Sequence, residues 1–269
     1  MKKFFLSLAV AFVGATGGFA QSFPLGTLTH DGQVSTFYGA TALKQAHEAA
    51  VSGDVVTLSS GTFVATDITK ALTIRGAGMG IDTLSQTEPT VISGDFKINI
   101  PETTDEAQSE TVAHRLTLEG IYHNQTIRYE GTLKNAMFLK CRLKTVTSGS
   151  SNIRKLKDAS FIHCRIAGQL YLYDDCSASC VNCAIQYPYS YSSSTSNFEF
   201  MNCVISSSRL ININSSSFKN CVLISDNENG FGYLTDTNTA YNCVYHGANS
   251  DPFKNITNST NKKVDDIKE

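Results

Sequence analysis

Tryptophan is absent from the 269 residues, proline occurs 5 times, and charged side chains make up only 17%. A soluble domain usually carries about 25% charge. The shortfall is not that of a disordered chain, because 41% of the residues are hydrophobic and the formal net charge is only −2. It also disfavours a coiled coil or long helical bundle, which would be rich in Ala, Glu, Lys and Leu. An excess of base is missing too: 22 Lys and Arg stand against 24 Asp and Glu, so no nucleic-acid partner is expected. In place of charge there are 29 Ser, 27 Thr and 18 Asn, and 15 Phe with 11 Tyr supply the aromatic rings.

The long apolar run is at the start. Lys2 and Lys3 precede Phe4 to Val13, which only Ser7 interrupts and which is too short to span a bilayer. Gly18-Phe19-Ala20 then offers small residues two apart, the pattern cleaved by signal peptidase. Residues 1–20 are therefore expected to be a secretory signal peptide, with a mature chain starting at Gln21. No Cys follows the cut, so a lipid anchor is not expected. The mature chain is expected in the periplasm, on the cell surface or outside, with no membrane span.

Repetition decides the fold. Six segments share one pattern: Phe138 to Leu143, Phe161 to Ile166, Cys180 to Ile185, Phe200 to Ile205, Phe218 to Leu223 and Ala240 to Tyr245. Each centres on a Cys (Cys141, Cys164, Cys183, Cys203, Cys221, Cys243), with successive spacings of 23, 19, 20, 18 and 22. An apolar residue stands two after each Cys, and Asn directly precedes it in four cases. In a straight strand, residues two apart share a face. Cys and its +2 neighbour obey that parity, whereas the Phe three before does not. The chain must bend between them, and Asn tolerates the left-handed conformation a one-residue corner needs. Phe, Cys and Ile can then all face inward. A turn of about 20 residues cannot bury its inner face alone, so the turns must stack. The expected fold is all-β: a single-stranded, right-handed parallel β-helix with an inner Cys ladder.

These corners and the Cys stack resemble those of the pectate-lyase-like superfamily of right-handed parallel β-helix proteins, in particular small exported bacterial ones. The start of the chain resembles the family as well. Thr41 to Ala50 reads as a short capping helix with Thr41 as N-cap. Val55 to Leu58, Ser60 to Phe63 and Lys70 to Gly78 follow as the first coils, then Pro89 to Phe96 and Arg115 to Ile121. Pro101 to Thr111, acidic and polar, reads as an excursion. The β-helix domain is placed at 21–250, and 251–269 is a tail or partial cap.

The cysteines admit several roles. No Cys-x₂-Cys pair meets a second pair or a His cluster, which disfavours zinc. A catalytic thiol needs a base and partial exposure. Stacked rungs point their side chains in parallel, which suits disulfide geometry poorly. The six ladder thiols are expected free and buried as small hydrophobes; Cys176 either pairs with Cys180 or stays reduced.

Function then belongs on the outside. One outer row runs through Arg128, Arg154, Tyr171, Tyr173 and Asp175, with Tyr187, Tyr189 and Tyr191 on the next coil. Tyrosine offers flat apolar area with a polar tip, which suits sugar rings; the alternative is packing and β-propensity alone. A second row sets Arg142 over Arg165, with Lys140 and His163 beside them. It could hold an anionic polysaccharide or simply be solvated. Lyases of the resembled fold use a basic side chain to remove a proton alpha to a carboxylate, often with Ca²⁺. On that reading Arg128, Arg154 or Lys155 is the base, and Asp174 and Asp175 hold the metal. Hydrolases of the fold need several carboxylates on neighbouring coils, and within the repeats only Asp174 and Asp175 are adjacent. No complete motif of either group is present. The expected function is non-catalytic binding of a polysaccharide or cell-surface glycan without cofactor. The alternatives are a polysaccharide lyase or glycoside hydrolase, and a structural module of a surface assembly.

Overall fold

The computed structural model describes residues 23–80, 88–101, 115–147, 155–173, 175–190, 196–207, 213, 215–225, 234, 237–247, 252, 253, 256 and 261–263. The expected signal peptide at 1–20, most of the expected excursion, Arg154, Asp174 and Tyr191 lie outside the described residues. Two 11-stranded sheets carry the fold. In the first, Val55–Leu58, Thr73–Arg75, Thr117–Glu119, Met137–Leu139, Ala159–Ile162, Ser177–Val181, Asn197–Met201, Ser217–Lys219 and Thr239–Tyr241 stack in parallel. In the second, the parallel stack runs from Gly61–Val64 through Thr90–Ser93, Ile121–Tyr129, Arg142–Thr147, Arg165–Leu172, Ala184–Ser190, Val204–Ser207 and Val222–Ser225 to Val244–His246 and Lys262–Lys263. Successive strands alternate between the sheets, which makes the chain a parallel β-solenoid around one apolar core. Among the described residues no helix is long and apolar enough to cross a membrane.

The corner is where the parity argument places it. The residue before every ladder Cys has positive φ: Lys140 at 50°, His163 at 52°, and Asn182, Asn202, Asn220 and Asn242 at 53°. Gly120, at 64°, makes the same corner one coil earlier, with Ile121 in the Cys position. Where Asn recurs, its amide links the rungs: Asn220 Nδ2 donates to Asn202 Oδ1 at 3.1 Å, and Asn242 Nδ2 to Asn220 Oδ1 at 2.9 Å. Inside, Phe138 pairs in register with Phe161, then Cys180, Phe200 and Phe218. The Phe138 and Phe161 rings stack at 4.5 Å, close to the strand spacing. Asn202→Val should strain its corner by about 1–2 kcal/mol, because a β-branched side chain resists the left-handed region. A lowered urea midpoint with an unchanged slope would show it.

All eight cysteines are free and buried. The ladder thiols do more than fill space. Cys141, Cys164, Cys183, Cys203 and Cys221 each donate to a carbonyl of the coil below, as with Cys164 Sγ to Phe138 O at 3.2 Å, Cys183 Sγ to Phe161 O at 3.3 Å and Cys203 Sγ to Cys180 O at 3.2 Å. Cys164 N–H in turn donates to Cys183 Sγ at 3.4 Å. Asn261 takes the next position after Cys243 and makes both contacts with an amide. Its Oδ1 accepts from Cys243 N–H at 2.8 Å, and its Nδ2 donates to Ala240 O at 3.4 Å. Cys176 belongs elsewhere: it accepts from Leu156 N–H at 3.2 Å at the other corner. There Ser216 accepts from Phe198 N–H and Asn238 from Ser216 N–H. His123 stands in the inner row that later coils fill with Leu143, Ile166 and Ile185. Its Nδ1 meets Ile92 O at 2.8 Å, and its buried Nε2 has no partner.

The helix spans Ala42–Ala49 and buries Ala42, Leu43, Ala46 and His47. Thr41 precedes it, but its hydroxyl caps no backbone N–H; with φ −91° and ψ 3° it lies outside the extended conformation a capping side chain uses. The C-terminal end is held instead by Lys70, whose ammonium donates to His47 O at 2.7 Å, Glu48 O at 3.1 Å and Ala50 O at 2.7 Å. A cation there satisfies orphan carbonyls and complements the helix dipole. Leu25–His30 and Gln33–Tyr38 add an antiparallel hairpin to the first sheet, an element the repeat does not announce.

Candidate functional site

The strand Arg165–Leu172 and its neighbour Ala184–Ser190 build the outer face of interest. Leu170 and Leu172 are buried, so Tyr171 faces outward, as alternation requires; Tyr173, just past the strand end, is partly buried and packs against the core. The register sets Tyr171 beside Tyr189 and Gln169 beside Tyr187. Because parallel strands lie about 4.8 Å apart, the rings fall into a stack. Tyr171 and Tyr189 have centroids 4.8 Å apart at 22°, and Tyr187 and Tyr189 5.7 Å apart at 26°. Tyr173 meets Tyr171 edge-on at 4.7 Å and 61°, which turns its ring into another plane. All four are half-buried. Beneath them the buried Tyr129 donates its hydroxyl to Tyr171 O at 3.3 Å, and Ser196 Oγ donates to Tyr173 O. The platform is thus anchored from inside.

Arg128 is exposed and belongs to the same row. It pairs with Thr147, whose neighbour Val146 pairs with Leu170, so Thr147 separates Arg128 from Tyr171. Asp175 departs from the row. The strand ends at Leu172, and Asp175 turns a corner at φ 60°. There its Oδ2 lies 3.0 Å from Lys157 Nζ and 3.1 Å from Lys155 Nζ. Lys157 first, then Lys155, holds its carboxyl below the usual carboxylate range. The expected placement of Asp175 beside the tyrosines is therefore corrected: two lysines from the preceding coil draw it to the corner. Lys155, considered as a base, is engaged in the same contact.

The second row begins the same strands. Arg142 and Arg165 are in register, and Ala184, Val204 and Val222 follow, so the cationic stretch is short. Tyr122, one coil earlier, lies under Arg142 with the guanidinium 4.7 Å from its ring centre. That contact occupies Arg142 and leaves Arg165 exposed. Lys140 and His163 are the exposed corner residues beside them. Asn182 Nδ2 lies 3.1 Å from His163 Nε2, which ties His163 into the Asn row.

Both rows therefore lie on one face, at opposite ends of the same strand and about 20 Å apart at full extension. Between them the surface is hollowed into an open depression of about 400 Å³, with Arg165, Ala167, Ala184, Gln186, Val204 and Ser206 in its lining. The strand bulges here, where the register slips between Ile166 and Gln169. Gly168 permits the bulge, since a Cβ there would sit 2.6 Å from Lys144 O. Tyr122 and Tyr129 were not legible as parts of this face: one is a coil away from its arginine, the other points inward. No family model, curated protein or solved structure matches the chain.

Proposed function

We propose that this is an exported, non-catalytic β-solenoid that binds polysaccharide or cell-surface glycan along the outer face of its second sheet. The observation that carries the reading is the tyrosine platform: four rings on two adjacent coils, held in register and only half-buried. Aromatic rings with polar edges suit sugars, which present apolar faces and hydroxyl rims. The depression and Arg165 extend the platform and favour a chain with some negative charge. The nearby acid, Asp175, is engaged by lysines and so is poorly placed as the carboxylate of a hydrolase or a metal ligand. Export rests on the leader pattern of residues 1–20.

Affinity electrophoresis through gels of neutral and uronate polysaccharides tests the reading. Retention by at least one polymer is expected, and Tyr171→Ala with Tyr173→Ala should weaken it by about tenfold, or roughly 1.4 kcal/mol. Retention by no polymer, or retention untouched by the double substitution, would remove the proposal. Release of unsaturated or reducing sugar ends from the same polymers would transfer it to the lyase or hydrolase class.

A further inference from the structure

The hairpin leaves a bare edge. Among the described residues, Gln33–Tyr38 is the last strand of the first sheet and is paired on one side only. Its six residues, Gln33-Val34-Ser35-Thr36-Phe37-Tyr38, contain no charge, proline or glycine, which are the devices that usually blunt an edge. Two large apolar side chains of this strand stand in solvent, Tyr38 at 69% exposed and Val34 at 64%.

The turn fixes which backbone groups are available. Asp31 at φ 46° and Gly32 at φ 74° form a two-residue turn of the type that makes His30 and Gln33 a hydrogen-bonded closing pair. By alternation, Gln33, Ser35 and Phe37 direct their N–H and C=O groups to the strand Leu25–His30. Val34, Thr36 and Tyr38 direct theirs outward. A second copy running antiparallel can therefore engage only these three. Centred on Thr36, the register pairs Thr36 with Thr36 and Val34 with Tyr38 twice over. The exposed apolar residues become cross-strand partners, a β-branched residue against an aromatic ring. No like charges are brought face to face.

We propose that this edge is a homodimer interface, in which two copies join Gln33–Tyr38 antiparallel about a two-fold axis through Thr36. A second copy is the occupant because the edge is complementary to itself in backbone polarity, side-chain pairing and charge. About six backbone hydrogen bonds form in this register. The short contact belongs to the weak, concentration-dependent class of interfaces.

Sedimentation velocity tests this on protein purified from an exporting host, over roughly micromolar to millimolar concentrations. The mass is expected to rise from one chain to two. Thr36→Lys, which sets two ammonium groups on the axis, should abolish the dimer at every concentration at which the unsubstituted chain shows it. Thr36→Cys should cross-link on oxidation with diamide, because hydrogen-bonded partners have Cα atoms about 5.5 Å apart, within disulfide reach. The native thiols are buried and give no competing bridge. Circular dichroism checks that both variants fold. A single-chain mass throughout, a dimer that survives Thr36→Lys, or oligomers that grow beyond two overturns the proposal. Should the lysine variant fail to fold, absence of the Thr36→Cys cross-link overturns it alone.

Discussion

Cys203→Asp is expected to remove a large share of the stability of the molecule. Cys203 is 1% exposed and stands in the middle of the ladder, with thiols one coil away on either side. Hydrogen bonding with the Cys183 thiol, followed by burial, pushes Cys203 up to about 11, so the site holds a proton at neutral pH. A carboxylate there would be an unpaired buried charge, costing about 3–5 kcal/mol, against a typical total of about 5–15 kcal/mol. Urea unfolding followed by circular dichroism should show a lost or strongly lowered midpoint. Two milder substitutions separate the roles of the thiol. Cys203→Val keeps apolar volume but removes the thiol hydrogen bond to Cys180 O, at about 0.5–1.5 kcal/mol. Cys203→Ser keeps the donor and gives up apolar contact. If Ser proves as stable as Val or better, the ladder is a hydrogen-bonding device; if Val is clearly better, the thiol is a space filler. Iodoacetamide should leave the native thiols unlabelled in the unsubstituted chain, since reaction needs an exposed thiolate.

The corner was legible because it creates a contradiction within five residues. Phe138 and Cys141 cannot share a face of a straight strand, and one left-handed residue between them resolves the conflict. Lys140 obeys the rule without a residue that favours the left-handed region, which shows that the coil geometry sets the corner and Asn only eases it. The side of Tyr171 was legible for a similar reason, as alternation between the buried Leu170 and Leu172 fixes it. What was not legible depends on partners far away in the chain. Lys70 reaches a helix more than 20 residues before it, and no local pattern marks a lysine as a cap. Asp175 reads as the end of a strand until two lysines about 20 residues earlier are placed beside it. Asn261 sits where the repeat has faded, so its ladder role follows only from the register of the strand after it. The hairpin is a different case: Asp31-Gly32 is a recognised turn pair, but it lies outside the Cys-centred repeat.

Gly76→Ala should be the most damaging single-methyl change in the first coils. Gly76 sits against the corner glycine of the following strand in the same sheet. A Cβ on it would lie 2.5 Å from Gly120 O, 2.7 Å from Thr90 Cβ and 2.8 Å from Thr90 Oγ1. None of these can yield cheaply. Gly120 O accepts from Gly78 N–H at 3.0 Å, and Thr90 Oγ1 accepts from Ala77 N–H at 2.7 Å while donating to Ser59 O at 2.7 Å. Thr90 is fully buried, so a displaced hydroxyl would leave its partners without water to replace it. Overpacking and the broken bonds together should cost about 3 kcal/mol or more. Gly80→Ala is the control: a Cβ there meets nothing within 4 Å, and the change should be neutral or stabilising by up to about 1 kcal/mol. Parallel urea curves for the two variants give the answer. Equal midpoints would mean that the first coils relax around a methyl group, and the close approach of the two glycines would then carry no share of the stack's stability.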